Sequence, residues 1–231
     1  MRKISAAQIA VFGLLLALAL VLAIGTTVLA LGRVPLGDFR GIVLAAAAVV
    51  LLYAYALLLY RAFLARFPLR TGEIAERSSQ EFVYHVYLLF YLILFYPVMR
   101  SGAMPVPLMR LVYLALGARL GANTYSSGII LDPPFVEIGH DTIVGQYALL
   151  VPHVIENRRL AHFRIRIGSN VTIGAHAVVL SDVEIGDNAM VATGAIVRKG
   201  TRIAPGEVWG GVPATLISRG STDGNDPGTG F

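Results

Sequence analysis

Residues 167–214 read IGSNVTIGAHAVVLSDVEIGDNAMVATGAIVRKGTRIAPGEVWGGVPA and repeat every six residues. The residue after each frame position is small at six of eight steps, and the exceptions are Leu180 and Arg198. A six-residue period fits neither an α-helix nor an alternating strand, so it predicts short strands separated by regular corners. We expect the apolar side chains to point inward and the small residues to form the corners, since glycine takes a positive φ without steric cost. The apolar frame is Ile167, Ile173, Val179, Ile185, Val191, Val197, Ile203 and Trp209.

The hexapeptides IGSNVT, IGAHAV, IGDNAM and VATGAI resemble those of the hexapeptide-repeat acyltransferases. This resemblance implies a left-handed parallel β-helix with three hexapeptides per coil, usually assembled as a homotrimer. The predicted β-helix domain covers residues 120–219, and residues 156–166 interrupt its frame. In this family, a loop thrown out from the helix carries or covers the active site. Upstream of the interruption the frame continues through Leu120, Ser126, Asp132, Ile138, Val144 and Leu150.

The composition, 56% hydrophobic and 14% charged, is too apolar for an ordinary soluble protein. Residues 4–31 and 41–60 carry no charge, and each run is long enough to cross a hydrocarbon layer of about 30 Å. The first run is much longer than the apolar core of a cleaved signal peptide, roughly 7 to 15 residues, which is the alternative. We therefore predict a helical membrane hairpin and its cytoplasmic link within residues 1–80.

Basic residues are concentrated in the N-terminal half of the chain. Residues 1–119 hold eleven Lys and Arg against four Asp and Glu, whereas residues 120–231 hold eight against ten. This distribution favours anionic membrane lipids over nucleic acid as the partner of the basic excess. Arg2, Lys3 and Arg61 flank the hairpin at its two ends, so the positive-inside bias predicts that both ends face the cytoplasm. The expected location is the bacterial inner membrane, as a multi-pass protein with its catalytic domain in the cytoplasm.

Residues 82–99 leave two interpretations open, because they are apolar enough for a third crossing yet rich in tyrosine. Tyrosine favours the membrane interface, so we prefer a re-entrant or interfacial helix within a membrane-associated region at residues 81–119. Residues 108–120 predict an amphipathic helix that leads into the first coil. The composition of residues 220–231 is typical of a disordered tail.

His153, in LLVPHVIE, stands at the end of the second coil and directly before the interruption. An acceptor hydroxyl or amine must lose a proton as it attacks the thioester of an acyl-CoA, and imidazole has a suitable pKa for that role. The resemblance to sugar O-acetyltransferases implies a general base at this point. The His-x-x-Glu spacing is also similar to the terminal β-helix region of poly-lysine-type peptide synthetases. A carboxylate would fix the imidazole tautomer, and Glu156 and Asp132 are the two alternatives.

The resemblance also implies where both substrates bind, with acetyl-CoA or another acyl-CoA as the co-substrate. Small side chains at the turns are needed by the coil itself, however, and a basic loop is usually just solvated. His140 and His176 are interpreted as surface or trimer-contact residues. The donor-binding candidates are Ala175, Thr193, Arg198, Lys199, Trp209 and Gly211, and the acceptor-binding candidates are Asp132, Asn157, Arg158 and His162.

Other chemistries find little support in the sequence. The chain has no cysteine for a thiolate metal site. γ-Type carbonic anhydrases share the predicted fold but need zinc-binding histidines where this chain has Ala175 and Leu180, so we expect no metal. The predicted function is acyl-CoA-dependent O- or N-acyl transfer to a membrane-associated acceptor, such as a lipid-linked saccharide. A non-catalytic β-helix scaffold at the membrane is the alternative, because the repeat specifies shape and not chemistry.

Overall fold

The computed structural model describes residues 2–102 and 104–219, and the chain divides into two compact units. The first unit is helical and consists of the residues up to Arg70 together with Ile74–Ser101. The second unit consists of Thr71–Glu73 and the chain from Gly102 onward. The predicted tail at residues 220–231 lies outside the described residues.

Three helical segments of the described chain are long and apolar enough to cross a membrane, namely Ala6–Leu31, Gly37–Arg66 and Ser79–Arg100. The third segment is continuous through a π-helical stretch at Tyr91–Phe95. The helices are α1 (Ala6–Leu31), α2 (Arg40–Arg66), α3 (Ser79–Phe90), α4 (Tyr96–Arg100) and α5 (Val106–Leu116).

Helices α1 and α2 pack against each other through small residues. Ala19, Ala23 and Ala56 are fully buried, and small side chains let helix backbones approach closely. The hydroxyl groups of Thr26 and Tyr55 form a hydrogen bond of 2.8 Å between the two helices. The predicted helical hairpin is therefore present, with a connection that includes a short 3₁₀ turn.

The third apolar segment places its tyrosines in the core of the helical unit. Tyr84, Tyr87 and Tyr91 are at most 3% exposed, and the ring of Phe90 meets that of Phe12 edge to face at 5.0 Å. Tyrosine content in this segment therefore reflects packing between helices, which the sequence did not distinguish from a position at the membrane interface. The course of the segment through a bilayer stays a prediction.

The second unit is a parallel β-helix. Each coil contributes one strand to each of three parallel sheets, which form the three faces of the helix. Within the described residues the strands are β1 (Gly72–Glu73), β2 (Arg119–Leu120), β3 (Tyr125–Ser126), β4 (Ile129–Ile130), β5 (Val136–Ile138), β6 (Ile143–Val144), β7 (Leu149–Leu150), β8 (His153–Glu156), β9 (Arg159–His162), β10 (Ile165–Ile167), β11 (Thr172–Ile173), β12 (Val178–Val179), β13 (Glu184–Ile185), β14 (Met190–Val191), β15 (Ile196–Val197), β16 (Arg202–Ile203), β17 (Glu207–Gly210) and β18 (Thr215–Arg219).

The predicted apolar frame forms the core of this β-helix. Its members from Ile167 to Ile203 are at most 4% exposed, and only Trp209 is half-buried. The first face consists of β2, β5, β10, β13 and β16, the second of β3, β6, β11, β14 and β17, and the third of β4, β7, β12 and β15. Strand β18 closes the second face by pairing antiparallel with β17.

The small residues of the repeat were predicted to allow a positive φ, but in the structure they allow the coils to stack closely. Gly168, Gly174 and Gly186 do not have a positive φ. A Cβ at Gly174 would lie 2.4 Å from the backbone nitrogen of Thr193 in the next coil, so close stacking of the coils excludes a side chain there. The positive φ falls two residues later in each corner. It is taken by Asn170, His176, Asp182, Asn188, Gly194, Gly200 and Gly206.

The predicted frame is wrong at the third face of the first coil. Ile130, and not Asp132, pairs with Leu150 and points inward with no exposed surface. The corner before Ile130 is two residues shorter than in the other coils, since Ile129 pairs with Leu149 while Ser126 pairs with Val144. Asp132 therefore lies in the following corner of the chain.

A helix covers the first coil. Arg110 of α5 donates hydrogen bonds to the carbonyl oxygens of Thr124 and Gly121 at 3.1 and 2.9 Å. The hydroxyl of Tyr113 donates to the carbonyl of Gly128 and accepts from the backbone N–H of Ile130. The predicted amphipathic helix is thus present over Val106–Leu116, and its polar groups satisfy the open end of the β-helix.

Candidate active site

Between β7 and β10 the regular coil is interrupted by an antiparallel hairpin made of β8 and β9. We call this segment, His153–His162, the flap. Its register pairs His153 with His162, and its turn contains Asn157 at φ 52°. Strand β1 adds a third strand to the flap by pairing antiparallel with β9. The flap therefore gives His153 a fixed backbone position at the edge of the β-helix.

Asp132 holds the imidazole of His153. Its backbone is left-handed at φ 43°, directly before a 3₁₀ turn at Pro133–Phe135, and the residue is 2% exposed. The Nδ1 of His153 lies 2.5 Å from Oδ2 of Asp132, so the imidazole N–H donates to the carboxylate. This bond selects the tautomer with the free lone pair on Nε2, and the His153 side chain is 25% exposed. The arrangement is that of a general base with an orienting carboxylate.

The environment raises the pKa of His153 above its ordinary value of 6.5. Burial alone would lower it, but the hydrogen bond to Asp132 and the negative charge of that carboxylate together outweigh burial. The pair can therefore accept a proton readily and stabilise the resulting imidazolium, which are the two properties that a general base requires.

His162 has the opposite character. It has no exposed surface, and its ring stacks on that of Phe135 with centroids 4.6 Å apart. Burial lowers the pKa of His162 to about 4; the nearby Asp132 opposes this shift and His153 adds to it. His162 is thus neutral at physiological pH and lies in the wall behind His153. The predicted contact between His162 and an acceptor is not available from this buried position.

Glu156 lies at the other end of β8 and does not hold His153. Its carboxylate bonds to Lys199 of the fourth coil and lies 3.9 Å from Arg159. The hydrogen bond and charge of Lys199 lower the pKa of Glu156, which is exposed. Of the two carboxylates that the sequence offered to His153, the structure brings Asp132 to it.

The remaining predicted acceptor residues form the tip of the flap. Asn157 and Arg158 make its two-residue turn, and both are exposed. Arg159 next to them bonds to Glu73 of β1 at 2.8 Å. The pairing of β9 with β1 therefore brings Glu73 to Arg159 beside the tip of the flap.

The predicted donor residues Ala175, Thr193 and Gly211 occupy equivalent positions in successive coils. The N–H of Gly194 donates to the carbonyl of Ala175, and the N–H of Ile196 donates to that of Gly211. They therefore align along the corner between the second and third faces, which we call the donor corner. Arg198 is exposed at the next corner, with Lys199 beside it. Trp209 is half-buried, and its indole N–H donates to Glu207 at 2.9 Å.

Two contributors to the site were missed in the sequence. Phe135 stacks on His162. Its position could not be predicted from the repeat, because the shortened corner shifts the frame by two residues. The dipeptide Gly72–Glu73 joins the flap from a region read as a link. No local pattern marks such a short strand, since its partner lies far away in the sequence.

Comparison with known proteins also finds a hexapeptide repeat in this chain. Residues 164–199 match the Hexapep family model, described as bacterial transferase hexapeptide (six repeats). The galactoside O-acetyltransferase of Escherichia coli (strain K12) is 35% identical over 117 residues, which cover 46% of this chain and 57% of that protein. The chain thus spans little more than half of this curated relative.

Two further similarities also cover less than half of the chain. The γ-carbonic anhydrase 1 of Arabidopsis thaliana mitochondria is 37% identical over 105 residues, or 42% of this chain and 37% of that protein. A hexapeptide-repeat acetyltransferase of Vibrio cholerae, solved with acetyl-CoA, is 25% identical with a TM-score of 0.41, covering 45% of this chain and 60% of that one. Among residues 2–102 and 104–219, no three His, Cys, Asp or Glu side chains are grouped to hold a metal.

Proposed function

We propose that this protein is a membrane-anchored acyltransferase that moves an acyl group, acetyl in the first instance, from CoA to a hydroxyl or amine of a membrane-associated acceptor. The observation that carries the proposal is the Asp132–His153 pair, built where the flap leaves a hexapeptide-repeat β-helix. The similarity to a galactoside O-acetyltransferase supports the same reaction class.

The chemistry follows from the free Nε2 of His153. The acceptor hydroxyl or amine attacks the thioester carbonyl while His153 takes its proton. The tetrahedral intermediate then collapses, the carbon–sulfur bond breaks, and the imidazolium returns the proton to the departing CoA thiolate. Asp132 keeps the imidazole oriented and stabilises its positive charge through both steps.

We assign CoA to the donor corner and the basic residues beside it. The aligned residues Ala175, Thr193 and Gly211 are all small, so a thin pantetheine arm can approach the backbone beside them. Arg198 and Lys199 supply positive charge for the CoA phosphates, and Lys199 would exchange its bond to Glu156 for that contact. Trp209 and Gly211 follow in the closing motif, where we expect the nucleotide.

The three faces of the β-helix support assembly as a homotrimer. On the first face the outward residues alternate in charge from coil to coil, as in Arg166, Glu184 and Arg202, and they pair with one another. On the third face the outward residues are all apolar, namely Ile129, Leu149, Val178 and Ile196. An apolar face beside a charged one is the pattern expected of a surface that meets another copy.

The helical unit supports the membrane part of the proposal. Leu14, Leu29 and Ile42 are each more than 70% exposed on α1 and α2, as expected of side chains that face lipid. An anchor is useful to an enzyme whose acceptor is itself in the membrane, because it raises the effective concentration of the two. We therefore infer a lipid-linked saccharide as acceptor, with the catalytic domain on the cytoplasmic side of the bacterial inner membrane, where acetyl-CoA is available.

Labelled acetyl-CoA, mixed with membranes that contain the protein, tests this function. We expect label in a saccharide that extracts with the lipids, and none when the protein is omitted. Label only in a water-soluble molecule would overturn the membrane acceptor. A thermal shift with CoA tests the donor separately, since a non-catalytic scaffold would show no shift.

A further inference from the structure

The helical unit contains a cavity of about 660 Å³, formed where α1 begins, α2 ends and α3 begins. Phe63, Phe67 and Phe82 line one part of it, while Lys3, Arg77 and Ser79 line another. Ligand sites are commonly concave and largely apolar, with a few polar groups that fix orientation. We call this feature the helix-end cavity.

The charges around the helix-end cavity leave a positive excess inside it. Glu81 also lines the cavity, but its Oε1 pairs with Arg2 at 3.1 Å and its Oε2 accepts the backbone N–H of Arg77 at 2.5 Å. The Arg2 and Glu81 side chains are only 15% and 11% exposed, so this carboxylate is already neutralised. Within residues 2–102 and 104–219, the side chains of Lys3 and Arg77 make no ion pair. They are therefore available to an anion.

The polar wall is held in place by its own contacts. Ser5 caps α1 through a reciprocal pair of hydrogen bonds with Gln8. The Oε1 of Gln8 also lies 3.2 Å from Nδ1 of His85 on α3, and these two residues are 6% and 4% exposed. The beginning of α1, which carries Lys3, is thereby fixed to α3 in a preformed arrangement.

The apolar wall reaches the outer surface of the helices. Phe67 is 43% exposed, and Phe63, one turn earlier on α2, is partly exposed. An anion that carried an apolar chain could place its charge between Lys3 and Arg77 and its chain against these side chains. A free inorganic anion would leave the aromatic wall unused.

We propose that the helix-end cavity binds the phosphate headgroup of a membrane lipid, with the lipid chain lying along α2. Phosphate oxygens accept hydrogen bonds from both ammonium and guanidinium groups. The inference deepens the proposed function in one respect, because a lipid-linked acceptor carries such a phosphate. The cavity would then hold the lipid part of the acceptor, away from the acyl transfer chemistry of His153.

The test measures lipid retention on the full-length protein in a neutral detergent by native mass spectrometry. The probes are phosphatidic acid, the uncharged diacylglycerol with the same chains, and inorganic phosphate. We expect saturable binding of phosphatidic acid, with the other two at least tenfold weaker. The double variant Lys3→Gln/Arg77→Gln should weaken phosphatidic acid binding by about tenfold or more, since each basic group near an anionic lipid contributes measurably.

Two further variants keep the result interpretable. Arg61→Gln/Arg70→Gln removes the same charge from exposed residues on or just after α2 that do not line the cavity, and should change binding less than about twofold. Ser79→Tyr fills the cavity without changing charge and should also abolish retention. Ser79 is exposed at the first turn of α3, where a larger side chain does not disturb the helix core.

Equal weakening in both double variants would overturn the proposal, because it would show a general attraction of the helix ends for anions. Equal binding of inorganic phosphate would overturn the lipid assignment. CoA binding by thermal shift should be unchanged in all variants. In the unsubstituted protein, absence of acyl transfer with lipid retention present would reject the proposed function and not the lipid site, whereas absence of phosphatidic acid retention with CoA binding present would reject only the lipid site.

Discussion

The two ends of the β-helix follow different rules. From Ile167 to Ile203 each strand pairs with the strand one coil later at a constant offset, and inward positions are apolar throughout. In the first two coils, one corner is two residues short, Asp132 occupies a buried corner and the flap leaves the coil. The regular coils build the shape, and the irregular coils bring together an imidazole and a carboxylate.

The difference has a physical origin. In a regular coil the backbone groups pair with the coils on either side. A buried polar side chain there would find few hydrogen-bond partners, and its burial would cost free energy. Asp132 is tolerated at 2% exposure because His153 donates to it across two neighbouring coils. The candidate catalytic pair therefore forms where two irregularities of the repeat, the short corner with Asp132 after it and the flap, come into contact.

The largest effect should come from His153→Ala. Loss of a general base typically slows the chemical step by about 10²- to 10⁴-fold, and CoA binding at the donor corner should be unchanged. Release of the CoA thiol can be followed with a thiol reagent, since the protein has no cysteine of its own. His140→Ala is the matched control, because His140 is exposed at a corner between the first and second faces, away from the donor corner, and bonds to Asp141. Near-normal turnover of the His153 variant would show that the chemistry lies elsewhere.

The second prediction concerns the regular coils. In Gly174→Ala the new Cβ would lie 2.4 Å from the backbone of Thr193, which neither coil can easily avoid. We expect a loss of about 1–3 kcal/mol in the free energy of unfolding, measured by thermal or chemical unfolding of the full-length protein. Gly206→Asn is the control. Gly206 has a φ of +75° and open space around it, and Asn170 and Asn188 take the same conformation at the same corner. Its cost should stay within about 0.5 kcal/mol. Similar losses in both variants would contradict the stacking explanation.

Much of this fold could be predicted from the sequence, because the same six-residue pattern of apolar and small residues occurs in successive coils. The frame from Ile167 onward and the interruption at the flap both follow from periodicity. The inward role given to Asp132 was wrong, since a short corner shifts the frame without any break in the pattern of apolar residues. The role of the small residues was also misassigned, because contact between coils is not visible in one hexapeptide.

The site was harder to predict for a related reason. Spacing along the chain favoured Glu156 as much as Asp132, but the contact with His153 is made between successive coils. The hydrogen bond of Glu156 to Lys199 joins residues 43 positions apart. Glu73 and Arg159, which also form a hydrogen bond, lie 86 positions apart. Such contacts depend on the final register of the coils and the flap, which single side chains do not specify.

The third prediction concerns Asp132→Asn and is the most diagnostic, because its main readout is a shift of the pH profile. The reaction needs neutral His153, so the wild-type rate should fall as the pH drops through a pKa above 6.5. In the variant the charge that raises this pKa is lost while burial, which lowers it, remains. The acid limb of the rate profile should therefore move to lower pH, and the plateau should also fall because the imidazolium loses its carboxylate. Asp141→Asn is the control, since Asp141 makes the same kind of bond to the exposed His140 and should leave the profile unchanged. An acid limb that does not move in Asp132→Asn would mean that His153 and Asp132 do not act as a pair, and would remove the distinction between the irregular and the regular coils on which the catalytic assignment depends.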